Sequence, residues 1–290
     1  MVRPMRRALW LLAVVVVVLL GVGIYIAVNP DERIPIEVPV GKGCEAATAV
    51  GSVSLYPEQM ANAATIAAVG VTRGIPDRGI VIALATAMQE SELYNVTYGD
   101  RDSLGLFQQR PSQGWGSEEE VQDPRYAAAA FYNQLIRVAG WEQMRLTDAA
   151  QAVQRSAFPE AYQRWEFNAQ VLGEALLGTH VTAVTCAKVA EPTLRGEAAT
   201  EALAAGLVLD WGQVASTAAA TGPGTLSIVA GQDRSGWQLA HWLVAHSVNH
   251  NVLRVRFGSH EWTVESGEWA AVESPPADSV PVVVADVYPA

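Results

Sequence analysis

Apolar residues recur with a helical period over most of the middle of the chain. In residues 57–72 they fall on one face after Tyr56-Pro57 and before Gly74, which predicts a helix. Residues 77–91 begin with Asp77 after Pro76 and are apolar on nearly every side, which predicts a buried helix. A loop rich in Gly and Asp follows to about residue 117, and further helices are expected over 124–138, 146–156 and 161–177.

The pattern changes after Cys186. Residues 187–196 form a connection, 197–210 a helix and 212–224 a linker of small residues. Beyond it, TLSIVA, VLRVRF, EWTV and PVVVADVY have the composition of strands, and residues 234–249 that of a helix. The fold class predicted for the chain is therefore a mainly α domain at 44–186 and a small α+β module at 225–290, with 187–224 between them.

The N-terminus predicts one transmembrane helix. Residues 8–28 carry no charge, and at about 1.5 Å per residue they span about 30 Å, the thickness of the hydrocarbon core of a bilayer. Arg3, Arg6 and Arg7 precede this segment, which favours a cytoplasmic tail at 1–7 and export of everything after residue 28. Residues 29–43 then form a Pro-rich stalk. A cleaved signal peptide is the alternative, but the apolar run is too long for one and lacks an A-x-A site.

Charge and cysteine content narrow the function classes. The chain has 19 basic and 30 acidic residues, a net charge of −11, which argues against a nucleic-acid binder because the phosphate backbone requires cations. Cys44 and Cys186 are the two cysteines. In an oxidising compartment we expect a disulfide that ties the ends of the first domain together, with two buried thiols as the alternative.

Glu90 is the most informative single residue. It follows nine nearly continuous apolar residues near the end of the buried helix. Burial and the negative end of the helix dipole would both raise its pKa, and a carboxyl group that stays protonated can act as a general acid. The alternative is a carboxylate that turns to solvent where the helix ends.

The segment around Glu90 resembles the signature of lytic transglycosylases and goose-type lysozymes. In that family a Glu-Ser pair closes a buried helix and a G-L-M/F-Q segment follows about fifteen residues later. Here Glu90-Ser91 precedes Gly105-Leu106-Phe107-Gln108 by fifteen residues, and a helix beginning at Asp123-Pro124 follows. The resemblance covers roughly residues 50–178. It implies a lysozyme-like fold for the α domain and cleavage of peptidoglycan glycan strands.

The resemblance also implies roles for individual residues. Glu90 would be the general acid, and the G-L-F-Q turn would face it across a cleft, anchored by Leu106 and Phe107. The residues expected to contact the glycan are Ser91, Ser103, Gln108, Gln109, Trp115 and Gln154.

Two features depart from the family pattern. A family Tyr in an Ala-Tyr-Asn-Ala-Gly segment lines the cleft, whereas this chain has AAQAVQRSAFP there, so Gln154 or Arg155 would take that place. A second carboxylate is also unsettled, although Glu92, Asp100 and Asp102 lie nearby in the sequence. An inverting hydrolase needs such a group about 6.5–9.5 Å from the acid, whereas lytic transglycosylases use one Glu and the 6-hydroxyl of the substrate.

Two other function classes remain open. The altered segment around Gln154 favours a non-catalytic envelope protein that uses the scaffold for glycan binding or assembly. His246 and His250 have a spacing that can bind zinc, but no third ligand is evident, so no metal and no cofactor are expected. The C-terminal module has no assigned role, and an envelope protein partner is one possibility for it.

Overall fold

Two buried helices form the centre of the region between the cysteines. The computed structural model describes residues 43–188, 191–212, 218–273 and 280–290. Helix α1 (Pro57–Thr72) and helix α2 (Asp77–Ser91) begin and end where the sequence predicts. The buried residues of α2 run without a break from Gly79 to Met88, because protein surrounds this helix on every side.

Shorter helices surround this pair. They are α3 (Glu118–Gln122), α4 (Pro124–Leu135), α5 (Leu146–Gln154) and α6 (Glu166–Leu176), with 3₁₀ turns at Pro111–Gln113 and Trp141–Gln143. The predicted helix over 161–177 is correct only in its second part. A separate 3₁₀ helix, Pro159–Trp165, precedes α6, and it begins at a proline, whose missing N–H suits a first helical turn.

A three-stranded antiparallel sheet brings together the two ends of this region. Its strands are β1 (Cys44–Thr48), β2 (Gly51–Leu55) and β3 (Val184–Cys186), in the order β2-β1-β3. Cys44 pairs directly with Cys186 in the β1–β3 register, and the two form a disulfide across 142 residues of sequence. The predicted disulfide is thus confirmed.

Removal of this disulfide is expected to destabilise the protein strongly. A Cys44→Ser/Cys186→Ser variant should lose about 2–4 kcal/mol of unfolding free energy, since the long loop is no longer constrained in the unfolded chain. Urea unfolding monitored by circular dichroism measures the loss. An unchanged midpoint, or two freely alkylated thiols in the oxidised wild-type protein, would contradict the prediction.

The C-terminal part is built on a larger sheet. Along the chain, helix α7 (Gly196–Trp211) comes before all the strands of this sheet, and helix α8 (Asp233–Ala245) comes between the second and the third of them. The strands are β4 (Ala218–Gly222), β5 (Thr225–Val229), β6 (Val252–Phe257), β7 (His260–Thr263), β8 (Trp269–Ala271) and β9 (Val282–Val287). They form a six-stranded sheet in the order β4-β5-β9-β6-β7-β8, with every pair antiparallel.

The predicted fold class, a mainly α domain followed by a small α+β module, is wrong. The described residues form an α+β structure with two antiparallel sheets and one continuous hydrophobic core. Helix α8 is buried all round, because it packs against α1 and α6 on one side and against β6 and β9 on the other. Strand β4 also lies inside the expected linker, since its alanines pair with β5 despite their low strand propensity.

Asp210 joins the two halves of this core. Its carboxylate is fully buried on α7, where Oδ1 lies 2.6 Å from Nε of Arg125 on α4. Oδ2 accepts hydrogen bonds from the Thr65 hydroxyl on α1 at 2.7 Å and from the indole N–H of Trp242 on α8 at 2.8 Å. One buried carboxylate therefore connects four helices.

The predicted membrane helix at 8–28 and the tail at 1–7 lie outside the described residues. So does the predicted stalk, apart from Gly43. Within the part of the chain that is described, no helix combines the length and apolar character needed to cross a bilayer.

Candidate functional site

Glu90 lies in the last turn of α2, half-buried, next to the point where the helix stops. The helix ends because Glu92 and Leu93 both adopt left-handed backbone conformations, with φ of 54° and 64°. Their amides still donate to the Met88 and Ala87 carbonyls, and the Leu93 side chain is fully buried. The chain is therefore held tightly on both sides of the carboxyl group.

Two side chains donate hydrogen bonds to the same oxygen of Glu90. The Tyr162 hydroxyl donates to Oε1 at 2.7 Å, and the Gln154 amide donates to Oε1 at 3.1 Å. Gln154 is the last residue of α5, and Tyr162 belongs to the 3₁₀ helix that follows. No described residue donates a hydrogen bond to Oε2 of Glu90, so this oxygen is the one free to carry a proton.

Burial governs the protonation of this pair. Desolvation raises the pKa of the Glu90 carboxyl above its ordinary value, and the hydrogen bonds from Tyr162 and Gln154 lower it only in part. Burial likewise raises the pKa of Tyr162, so its hydroxyl keeps its proton and acts as a donor. The arrangement suits a carboxylic acid that keeps its proton when only water is present and donates it to a bound substrate.

The G-L-F-Q turn lies close to Glu90 and is joined to it through Ser91 and Gln154. The Ser91 hydroxyl donates to the Leu106 carbonyl at 2.8 Å, which ties the turn to the end of α2. The Gln154 amide donates to the Phe107 carbonyl at 2.8 Å and so links the turn to the acid. Leu106 and Phe107 are fully buried, which confirms the expectation that they anchor the turn in the core.

Glycine is required at position 105 on two grounds. Its φ is +74°, and a Cβ atom there would lie 2.3 Å from the Val121 carbonyl oxygen. A larger residue would push the turn away from α3. The conformation of the turn, and hence the position of the Phe107 carbonyl next to Gln154, depends on this glycine.

Several predicted glycan ligands instead support the loop over residues 92–117. The Gln108 amide donates to the Tyr98 carbonyl at 3.2 Å, and the Gln109 amide donates to the Ala127 carbonyl at 3.0 Å. Gln109 is almost fully buried, as is Ser103, whose backbone N–H donates to the Asp100 carbonyl. Trp115 is partly buried against the core.

The Asp102 carboxylate is held by contacts within its own loop. Its carboxylate lies 2.7 Å from Nε of Arg110 and accepts a 2.8 Å hydrogen bond from the Ser112 amide. The hydrogen bonds from Ser112 and then from Arg110 hold the pKa of Asp102 well below its usual range. Arg110 is thus held in an ion pair. Asp100, by contrast, is almost fully exposed.

Backbone strain is concentrated around the acid. Of the seven described non-glycine residues with positive φ, five lie in the segments that surround Glu90. They are Glu92, Leu93, Arg101, Gln108 and Arg155, with φ between 48° and 64°. Such conformations are unfavourable for L-residues and cluster at functional sites in proteins.

Tyr162 was not predicted from the sequence. The resemblance places a cleft tyrosine in the segment that here contains Gln154, whereas the structure brings Tyr162 to the carboxyl group from eight residues further on. Trp165 lies one 3₁₀ turn later, and its indole N–H donates to Oε1 of Gln89 at 3.0 Å. The only sequence signal was this three-residue spacing of aromatic residues after Pro159.

Two histidines of the C-terminal part, His241 and His246, lie in the core. His241 accepts a hydrogen bond from the Ala183 amide at 3.0 Å and lies 2.8 Å from the Ala175 carbonyl, and burial lowers its pKa to about 4. Nε2 of His246 is 3.6 Å from Asp210. Among the described residues, no group of three or more His, Cys, Asp or Glu side chains is placed to hold a metal ion.

No protein-family model and no curated protein matches this chain. The resemblance to lytic transglycosylases therefore stays a prediction that rests on the motif around Glu90.

Proposed function

We propose that this protein cleaves peptidoglycan glycan strands, with Glu90 as the general acid. The observation that carries the proposal is the half-buried Glu90 carboxyl, whose Oε1 accepts two hydrogen bonds while its Oε2 is left open. A site of this kind fits a leaving group that needs a proton, as the oxygen of a glycosidic bond does. The G-L-F-Q turn beside it, tied down through Ser91, supports the same assignment.

The first step transfers the proton of Glu90 to the glycosidic oxygen. The bond between C1 and that oxygen breaks, and the leaving sugar departs with a hydroxyl group. Glu90 becomes a carboxylate whose Oε1 already accepts the hydrogen bonds from Tyr162 and Gln154. Both hydrogen bonds become stronger as Oε1 gains negative charge. They therefore stabilise the transition state more than the ground state.

In the second step we propose that the 6-hydroxyl of the same sugar is the nucleophile. This oxygen attacks C1, the Glu90 carboxylate accepts its proton, and a 1,6-anhydro sugar forms with the acid regenerated. The alternative, attack by water in an inverting reaction, needs a second carboxylate as base. The contacts of Asp102 with Arg110 and Ser112 disfavour that role for Asp102.

The disulfide supports a location outside the cytoplasm. Disulfides persist in oxidising compartments and are rare where thiols are kept reduced. Cys44 and Cys186 are bonded to each other, and no free cysteine exists among the described residues. A peptidoglycan-cleaving enzyme would meet its substrate in that compartment.

Incubation of the purified protein with isolated peptidoglycan tests the proposal. Mass spectrometry should detect soluble fragments with 1,6-anhydro ends, whereas reducing ends would mean hydrolysis by water. Protein that sediments with peptidoglycan but releases no fragments would overturn the proposal in favour of the non-catalytic glycan-binding scaffold.

The Tyr162→Phe variant should shift the pH profile of cleavage. The Tyr162 hydrogen bond stabilises the carboxylate, so its loss raises the pKa of Glu90 further. The alkaline limb of the rate profile should therefore move to higher pH. Tyr132→Phe is the matched control, because the Tyr132 hydroxyl donates to the Ile66 carbonyl instead, and no shift is expected for it.

A further inference from the structure

We infer that Arg155 makes this site selective for acidic glycans by binding a carboxylate that the substrate carries. The inference rests on the proposed function and names the substrate class. Arg155 is exposed and directly follows Gln154, whose amide contacts both Glu90 and the Phe107 carbonyl. The Arg155 side chain therefore belongs to the segment that contacts the Glu90 carboxyl group through Gln154.

The backbone at Arg155 does not require an arginine. Its φ of 53° and ψ of 40° are left-handed, the conformation in which glycine most often ends a helix. This conformation is unfavourable for an L-residue, because its Cβ atom lies too close to the following carbonyl oxygen. The Arg155 amide donates to the Gln151 carbonyl at 2.8 Å, a bond that any residue other than proline could make. The end of α5 therefore does not explain why this residue is arginine, and we assign its side chain a further role.

Arg155 has no acidic partner among the described residues, whereas four arginines of the surrounding segments do. Arg101 pairs with Asp100, Arg110 with Asp102, Arg125 with Asp210, and Arg145 with Asp148 and Glu160. Arg155 forms no ion pair with any described residue. Its planar guanidinium stays available for the two parallel hydrogen bonds that match a carboxylate.

The charge of the chain makes such a contact useful. Residues 29–290 hold 19 − 3 = 16 basic and 30 acidic side chains, a balance of −14. A carboxylate-bearing polymer is repelled by a surface of this sign, so an unpaired cation beside the acid offsets the repulsion where the polymer must bind. In peptidoglycan the carboxylate belongs to the peptide that is attached to the lactyl group of the sugar, or to the lactyl group itself where no peptide is attached.

Cleavage of two forms of the same strands tests the inference. In one form the carboxylates are intact, and in the other they are converted to neutral methylamides. A charge-assisted hydrogen bond of about 1.5–3 kcal/mol corresponds to a preference of about 10–100-fold for the acidic form by the wild-type protein. Arg155→Gln should abolish this preference, and Arg155→Lys should restore part of it. Strands stripped of peptides carry only the lactyl carboxylate, which cleavage of the amide bond has freed, and so distinguish the two sources.

The control is Arg101→Gln, which removes another exposed cation of the same region and should leave the preference unchanged. If Arg155→Gln retains the wild-type preference, the inference is overturned while the proposed function stands. The inference is likewise overturned if wild-type protein cleaves both forms equally. If wild-type protein cleaves neither form, the proposed function fails and the inference fails with it.

Discussion

Replacement of Glu90 by Gln is expected to lower the rate of glycan cleavage by about 10²–10⁴-fold, the usual contribution of general acid–base catalysis. The amide oxygen of a glutamine can still accept the hydrogen bonds from Tyr162 and Gln154, but the side chain has no acidic proton to give. Fragment release from peptidoglycan at several substrate concentrations measures the loss, which should appear in kcat.

The E90Q variant should also remain folded. Because the folded-state pKa of Glu90 is raised, the wild-type protein loses stability as the pH rises from the unfolded pKa through the folded pKa. The variant does not titrate there, so its free energy of unfolding at pH 7 should equal or exceed that of the wild type. E92Q is the matched control: it neutralises an exposed carboxylate two residues away and should cleave at the wild-type rate. An E90Q rate within threefold of the wild type would contradict the assignment.

Loss of the Asp210 carboxylate should have the largest effect on stability. Asp210→Ala leaves Arg125, Thr65 and Trp242 without their shared partner. Removal of one member of a buried ion pair typically costs about 3–5 kcal/mol. We expect a loss at the lower end of this range, because Arg125 is partly exposed and keeps a second carboxylate, Asp123, at 3.6 Å. Urea unfolding should show this loss, and Asp100→Ala, at an exposed carboxylate, serves as the control. A loss below 0.5 kcal/mol, roughly the size of an ordinary surface substitution, would show that the cluster contributes little.

Asp210 also connects the C-terminal half to the site. Arg125 lies in the first turn of α4, and two residues later the Ala127 carbonyl accepts the Gln109 amide of the loop over 92–117. A double-mutant cycle between Arg125 and Asp210 would measure how strongly the two halves are coupled. The geometry gives the C-terminal half a supporting role for the site that its sequence does not suggest.

The sequence predicts helices well and the sheets of this protein poorly. Helices α1 and α2 have long apolar patterns that begin at prolines, so both bounds are correct. Strands β1, β2, β3, β4 and β8 were missed because they have only three to five residues, mostly small ones, and tertiary pairing decides their conformation. The burial of α8 between the helices and the large sheet could not be predicted from its own pattern.

The candidate site was likewise predicted only in part. Glu90, Ser91 and the G-L-F-Q turn stand at fixed spacing, and the structure brings them together. Gln154 was expected beside the acid and lies there. Tyr162 was missed because the 3₁₀ helix that carries it packs on α2 through contacts distant in sequence. Spacing reveals residues held by one motif, but not a partner supplied by tertiary packing.

A comparison of two pH titrations on the wild-type protein tests most directly whether Glu90 is the general acid. Carbon-13 NMR of labelled glutamate, assigned with the E90Q variant, gives the pKa of the Glu90 carboxyl, and fragment release gives the pH dependence of the rate. We expect a pKa above the ordinary value of 4.5 and a rate that falls as the pH rises through that same pKa. A Glu90 pKa at or below 4.5, or a rate that does not follow its protonation, would contradict the role of Glu90 as the acid.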